Sequence, residues 1–185
     1  MNKEPATSQN EPFIDRVLKL CQGEHNNRRT RAELRRYWSP ATRHYAYPVL
    51  ARLVALPRET SVLTAETVIA VLYAYNPNHQ PDGLRLGQAA LRLSGGSMKS
   101  ERFEAFEHHF RRLLACDGGG LNELSQQLRR ILIRMERESI PLNYNQLLWD
   151  VRKWRQSSDD VKAAWARDFW RAPTALELQP YHVSL

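Results

Sequence analysis

The sequence predicts an all-α protein, a helical bundle of about eight helices in two lobes. Apolar residues recur at three- and four-residue spacing along most of the chain, as in Phe103, Phe106, Phe110, Leu113 and again in Leu121, Leu124, Leu128, Ile131, Met135. No stretch alternates with period two for long enough to make a strand. Glycine and proline sit at a few discrete places, where they punctuate helices.

In chain order, residues 1–11 read as a polar tail. Phe13, Val17 and Leu20 begin a first helix, with Pro12 suited to its first turn because an N–H there has no helical partner anyway. Gly23 to Asn27 reads as a loop, and a second helix runs on to Ser39-Pro40. Ser39 should then cap a new helix, with Pro40 at its first position and Tyr45, Val49, Leu50, Leu53 and Val54 on its inner side. Pro48 lies inside that pattern and should kink or split the helix, and Pro57 ends it.

Thr64 should cap the next helix, with Val68, Val71, Leu72 and Tyr75 as its stripe. Asn76 to Gly83 (NPNHQPDG) reads as the clearest exposed loop. Leu84 to Leu93 is a short helix closed by Ser94-Gly95-Gly96. The phenylalanine-rich helix starts at Ser100 and stops at Asp117-Gly118-Gly119-Gly120, which reads as a hinge between lobes 12–117 and 118–172. Leu121 to Met135 form one face of a long helix, and Pro141 breaks it. Tyr144, Leu147, Leu148, Val151 and Trp154 mark the next. Ser158, followed by Asp159 and Asp160, should cap the last, with Val161, Trp165 and Phe169 inward. Pro173 stops it, and the tail 173–185 has no periodicity.

Charge is the unusual feature. The chain carries a net +7, and Asn26 to Leu53 holds seven arginines against the single acid Glu33. Nearly the whole excess therefore sits in one block. On a helix Arg28, Arg31 and Arg35 share a face, with Arg29 and Arg36 a short rotation away and Leu34, Tyr37 and Trp38 turned inward. Arg35 and Arg36 should point away from the Leu34/Trp38 side. Such a stripe repels itself unless a polyanion lies over it, and the guanidinium fork suits phosphate oxygens. The competing reading is a solvated face with local Glu33 pairing. A second patch places Arg129 and Arg130 opposite a Leu/Ile face. Arg134 and Arg137 continue that side, where pairing with Glu136, Glu138 or Asp150 is expected. Lys153 and Arg155 follow on the next helix.

Other chemistry is not written in the sequence. Neither Cys21 nor Cys116 belongs to a CxxC, so two buried free thiols are expected. No histidine has metal-ligand spacing, and adjacent His108 and His109 point about 100° apart on a helix. Gly118 to Gly120 lacks the Lys-Ser/Thr of a phosphate loop. No nucleophile–base motif is present, and Glu101, Glu104 and Glu107 suit surface pairing. The reading is a non-enzyme without cofactor or metal, with no membrane span and no signal peptide, in a reducing cytoplasm. Of Trp149, Trp154, Trp165 and Trp170 most are read as core, with base stacking the alternative for an exposed one, and Trp38 as both packing and a surface for bases.

The order of elements resembles the CRISPR-associated CasB family, the small subunit of type I-E Cascade. The matching text is AELRR (Ala32 to Arg36), YPVLARLV (Tyr47 to Val54), RLGQAALRL (Arg85 to Leu93) and SERFEAFEHHFRRLLACD (Ser100 to Asp117). It continues with LSQQLRRILIRM (Leu124 to Met135), IPLNYNQLLWDVRKW (Ile140 to Trp154) and VKAAWARDFW (Val161 to Trp170). The resemblance implies a non-catalytic two-lobed subunit, stacked as two copies along the crRNA-bearing complex beside crRNA backbone subunits and the large subunit. It implies a basic track for displaced single-stranded DNA, with crRNA as the alternative contact, that helps hold the R-loop. Matching text carries Arg35, Arg36, Arg52, Arg129 and Arg130 over as contacts, with Lys153 and Arg155 in the place of a last basic cluster. With Arg28, Arg29 and Arg31 these form the expected nucleic-acid-binding set. The alternatives are a free-standing helical DNA-binding regulator, with the arginine helix in a major groove, and a structural adaptor for acidic proteins.

Overall fold

A computed structural model describes residues 11–22, 27–57 and 62–170. The expectations for residues 1–10, the Gly23–Asn26 loop and Pro173 with its tail lie outside them. The chain is all-α as expected, with helices α1 (Phe13–Gln22), α2 (Asn27–Arg35), α3 (Tyr47–Leu50), α4 (Ala65–Tyr73), α5 (Leu86–Leu93), α6 (Glu101–Leu114), α7 (Asn122–Arg137) and α8 (Tyr144–Phe169). Among the described residues no helix is long and apolar enough to cross a membrane, and no cluster of ligating side chains could hold a metal ion.

The bundle is built around α4. Its sequence AETVIAVLY is apolar almost all round, and every residue of it except Glu66 is buried. A helix without a polar face must be covered on all sides. Helices α1, α2, α7 and α8 provide that cover. Thr64 caps α4 as expected, its hydroxyl accepting from Thr67 N–H at 3.2 Å. Ser100 caps α6 in the same way. The α5 terminus closes with Gly95 and Gly96 at φ of 102° and 76°. That left-handed turn brings the Gly96 N–H to the Leu91 carbonyl at 2.9 Å, and glycine adopts it without steric cost.

The long α8 folds over α5 and α4. Trp154 and Trp165 stack within it at 5.5 Å between ring centroids. Phe169 stacks on Phe110 and Phe103 of α6, at 4.0 and 5.1 Å. The expected break falls at Ser157, whose φ and ψ of −146° and 46° leave the helical region one residue before Ser158. Trp165 bridges the bend by donating its indole N–H to Asp150 at 2.7 Å. The glycine turn before α7 is docked on α8, with the Trp154 indole N–H donating to the Asp117 carbonyl at 3.0 Å. Cys21 and Cys116 are buried free thiols, and burial raises each to about 11.

Two expectations need correction. No helix begins at Ser39. Turns lead into a 3-10 segment, Arg43–Tyr45, and α3 starts afresh at Tyr47. Pro48 explains this, because it is tolerated in the first turn of a helix and not in its interior. The change of pitch turns Tyr45, expected inside, out to 47% exposure. The loop 76–83 is also not simply exposed. Asn76 is fully buried, donating through Nδ2 to the Ile140 carbonyl at 3.1 Å, while Tyr144 donates its hydroxyl to the Asn76 carbonyl at 2.7 Å. His79 and Leu142 form an isolated parallel bridge. The loop's backbone polar groups are met by another backbone segment, with Leu142 N–H donating to the Asn78 carbonyl at 3.0 Å and Gln80 N–H to the Leu142 carbonyl at 3.3 Å.

Candidate nucleic-acid interface

Helix α2 presents its arginines because the opposite face is consumed by the core. Thr30 and Leu34 are buried, and so is Tyr37 in the 3-10 turn that follows, Arg36–Trp38. Arg28 and Arg29 are exposed, and Arg29 donates to Glu33 at 2.8 Å. Arg31 is half-buried. Thus the local pairing with Glu33 is real for one arginine, and the remainder of the stripe is disposed differently.

Arg35 is tied to the fold. Its Nε donates to the Ala74 carbonyl at 2.8 Å, and Tyr75 returns a hydroxyl donation to the Arg35 carbonyl at 3.0 Å. The expectation that Arg35 points clear of the packed side therefore needs correction. Its guanidinium lies 5.6 Å from the centroid of Tyr75. Arg129, on α7, lies 5.9 Å from the same ring and 5.7 Å from Trp38. A ring's electron-rich face attracts cations, so Tyr75 gathers guanidinium groups from two distant parts of the chain around one ring. Arg36 completes the surface, 4.5 Å from the exposed ring of Tyr45. Arg43 lies over Tyr37 at 5.1 Å and donates to its carbonyl at 3.0 Å. Tyr37, Trp38 and Arg43 wall a groove of about 480 Å³ against the N-terminal turns of α7.

Two N–H groups in this region are buried without a protein acceptor, Trp38 Nε1 and Arg129 Nε. Buried donors are ordinarily paired, so these two mark where an acceptor could be received.

The remaining expected residues do not join this cluster. Arg130 adjoins Arg129 in sequence but lies about 100° around the helix, where it lines a groove with His109, Arg134 and Arg137. Arg52 is exposed in the turn after α3. Lys153 and Arg155 are exposed on α8, the Lys153 ammonium 4.9 Å from the ring of Trp149. Trp149 is the exposed tryptophan of α8, at 53%, whereas Trp154 and Trp165 are fully buried, in keeping with core packing for most of them. Arg134 and Arg137 also depart from expectation. Arg134 meets His109 Nε2 at 3.0 Å. Glu138 is taken by Arg102, and Asp150 is buried and receives Trp165 and Gln146.

Residues missed by sequence reasoning are Tyr75, Tyr45 and Arg43. Tyr75 follows an almost wholly apolar helix and reads as its last core position. Only the tertiary fold shows that two arginines meet its ring.

Known proteins resemble this chain over most of its length. The model of the family described as CRISPR-associated protein Cse2 matches residues 30–170. A crystal structure of a CRISPR-associated protein of the Cse2 family from Thermus thermophilus superposes with a TM-score of 0.61 at 27% identity, covering 85% of this chain and 95% of that one. A second crystal structure from that organism, described as CasB, gives 0.60 at 25% identity, with the same coverages. CasB from Thermobifida fusca, at 24% identity and a TM-score of 0.63 over the same shares, shows likeness of fold. No curated protein sequence matches the chain.

Proposed function

The chain belongs to the CRISPR-associated Cse2 family, and on that premise we propose that it is a non-catalytic small subunit of type I-E Cascade that holds single-stranded nucleic acid by its backbone. In this reading it stabilises the R-loop by retaining the displaced DNA strand. Arg35, Arg36 and Arg129 contact phosphates, while Trp38 and Tyr45 offer ring faces to bases. The N-terminal lobe, 12–117, and the C-terminal lobe, 118–172, each contribute to one surface, with a second copy of the subunit extending it.

The observation that carries the reading is the convergence of Arg35 and Arg129 on Tyr75. Arg35 and Arg129 gather positive charge around one ring, and a phosphate at that surface is attracted by both. The surface spreads over α2, the turn after it and α7 instead of projecting as one helix. That supports a track along a flexible strand over a recognition helix in a major groove. A track that serves any target reads no base edges, and strand exchange is near balance, so backbone contacts can tip it.

The test is R-loop lifetime in the assembled complex with Arg36→Glu and Arg129→Glu together. The expected result is intact assembly and guide loading with R-loops that dissociate at least several-fold faster on every target sequence. Unchanged lifetimes would overturn the assignment.

A further inference from the structure

Helices α6 and α7 enclose a second basic groove of different character. Arg130, Arg134 and Arg137 line it with His109, and Arg112 stands beside them on α6. Among the described residues no carboxylate pairs with any of these four arginines. Arg134 donates to His109 Nε2 at 3.0 Å, which requires the neutral imidazole. Burial and the surrounding charges of Arg134, Arg112, Arg130 and His108 hold His109 below its ordinary range, so it adds no further charge.

Besides the arginines the lining is Gln127, His109 and two isoleucines, of which Ile133 is half-buried and Ile131 buried. None of the four arginines lies over an aromatic ring among the described residues. This contrasts with Arg35, Arg36 and Arg129, each of which has a ring beneath it. Bases stack on aromatic faces, whereas isoleucines take up aliphatic side chains. The ion pair of Arg102 and Glu138 lines an adjoining cavity that shares His109, Arg134 and Arg137, so a carboxylate stands beside this basic cluster.

We propose that the α6–α7 groove docks an acidic, aliphatic-anchored segment of a partner protein, one that sets carboxylates on Arg130, Arg134 and Arg137 and an apolar side chain against Ile133. It separates assembly from strand binding, with the Tyr75 surface left free for nucleic acid. The inference rests on the Cascade reading for the presence of a partner.

The test uses the full chain co-expressed with the other Cascade subunits, and the isolated chain with oligo(dT) and oligo(U). Arg134→Glu with Arg137→Glu should reduce the chain recovered in the purified complex at least tenfold. The same variant should keep its oligo(dT) affinity within about twofold. Arg134→Lys with Arg137→Lys, which retains both charges, should restore most of the recovery, and circular dichroism melting confirms folding of both. If the glutamate variant enters the complex at full stoichiometry, the docking assignment is overturned. If it loses oligo(dT) or oligo(U) affinity in step with recovery, the groove is a nucleic-acid surface. Failure of the unaltered chain to enter the complex would refute the Cascade reading itself, and the docking proposal with it.

Discussion

Arg35 of α2 and Arg129 of α7 bring their guanidinium groups to the same ring, that of Tyr75, at 5.6 and 5.9 Å. Tyr75 also donates its hydroxyl to the Arg35 carbonyl at 3.0 Å. Ring and hydroxyl thus have separable jobs. Tyr75→Phe should cost about 0.5–1.5 kcal/mol of stability and leave single-strand affinity nearly unchanged. Tyr75→Leu should also weaken oligo(dT) binding, about threefold or more, as the two cations lose their shared support. Thermal melting and fluorescence anisotropy on both variants separate the effects.

Tyr45 is exposed, with Arg36 over one part of its surface and His44 tilted against it at a centroid distance of 4.2 Å. Tyr45→Ala removes no core packing, so the melting temperature should stay within a degree or two of the parent. Binding to single strands should fall by about 1 kcal/mol, near fivefold, if a base stacks there. Equal affinity for both proteins would take Tyr45 out of the surface.

Gly87 is needed for contact between α5 and α8. A Cβ at that position would stand 2.4 Å from the Trp165 carbonyl oxygen and 2.6 Å from Asp168 Cβ. Backbone cannot yield as a flexible side chain can, so Gly87→Ala should destabilise by about 1–3 kcal/mol despite its better helix propensity. Denaturant titration gives the value, and a stabilised variant would contradict the close packing described.

His79 should make stability depend on pH. Burial holds its imidazole below the ordinary 6.5, and Tyr144 N–H donates to its Nδ1 at 3.2 Å. Below about pH 6.5 the unfolded chain binds the proton more readily than the folded one. Stability is therefore full above that pH and falls as pH drops toward the lower folded value. His79→Asn, whose side-chain oxygen can receive the same N–H, should flatten part of the loss below about pH 6.5. A melting profile identical to that of the parent would remove His79 as a source.

Much of the architecture was legible. Thr64, Ser100 and Gly95-Gly96 marked helix ends because capping and left-handed turns are local chemistry. The buried faces of α6 and α7 followed from period alone. Tyr45 was misplaced because one proline three residues on converts an α pitch into 3-10 turns. Which tryptophan is exposed is not legible in the sequence, because tryptophan content says nothing about which side of α8 is covered; the structure leaves Trp149 out. Arg129 and Arg130 read as parts of one groove, yet neighbours on a helix diverge by about 100°, and Arg129 reaches Tyr75 and Trp38 while Arg130 lines the α6–α7 groove. The pairing of Arg35 with Arg129 depends on how α2 and α7 meet through Tyr75, and no local pattern encodes it.

The central claim is that phosphates are held where Arg35 and Arg129 converge. The most direct measurement is the salt dependence of oligo(dT) affinity for the parent and for Arg129→Gln. Each phosphate contact on a single strand contributes a log–log slope of about −0.7. The account predicts weaker binding for Arg129→Gln and a slope shallower by about that amount, with melting unchanged or slightly improved because a buried unpaired N–H is gone. An affinity and slope equal to those of the parent would contradict it.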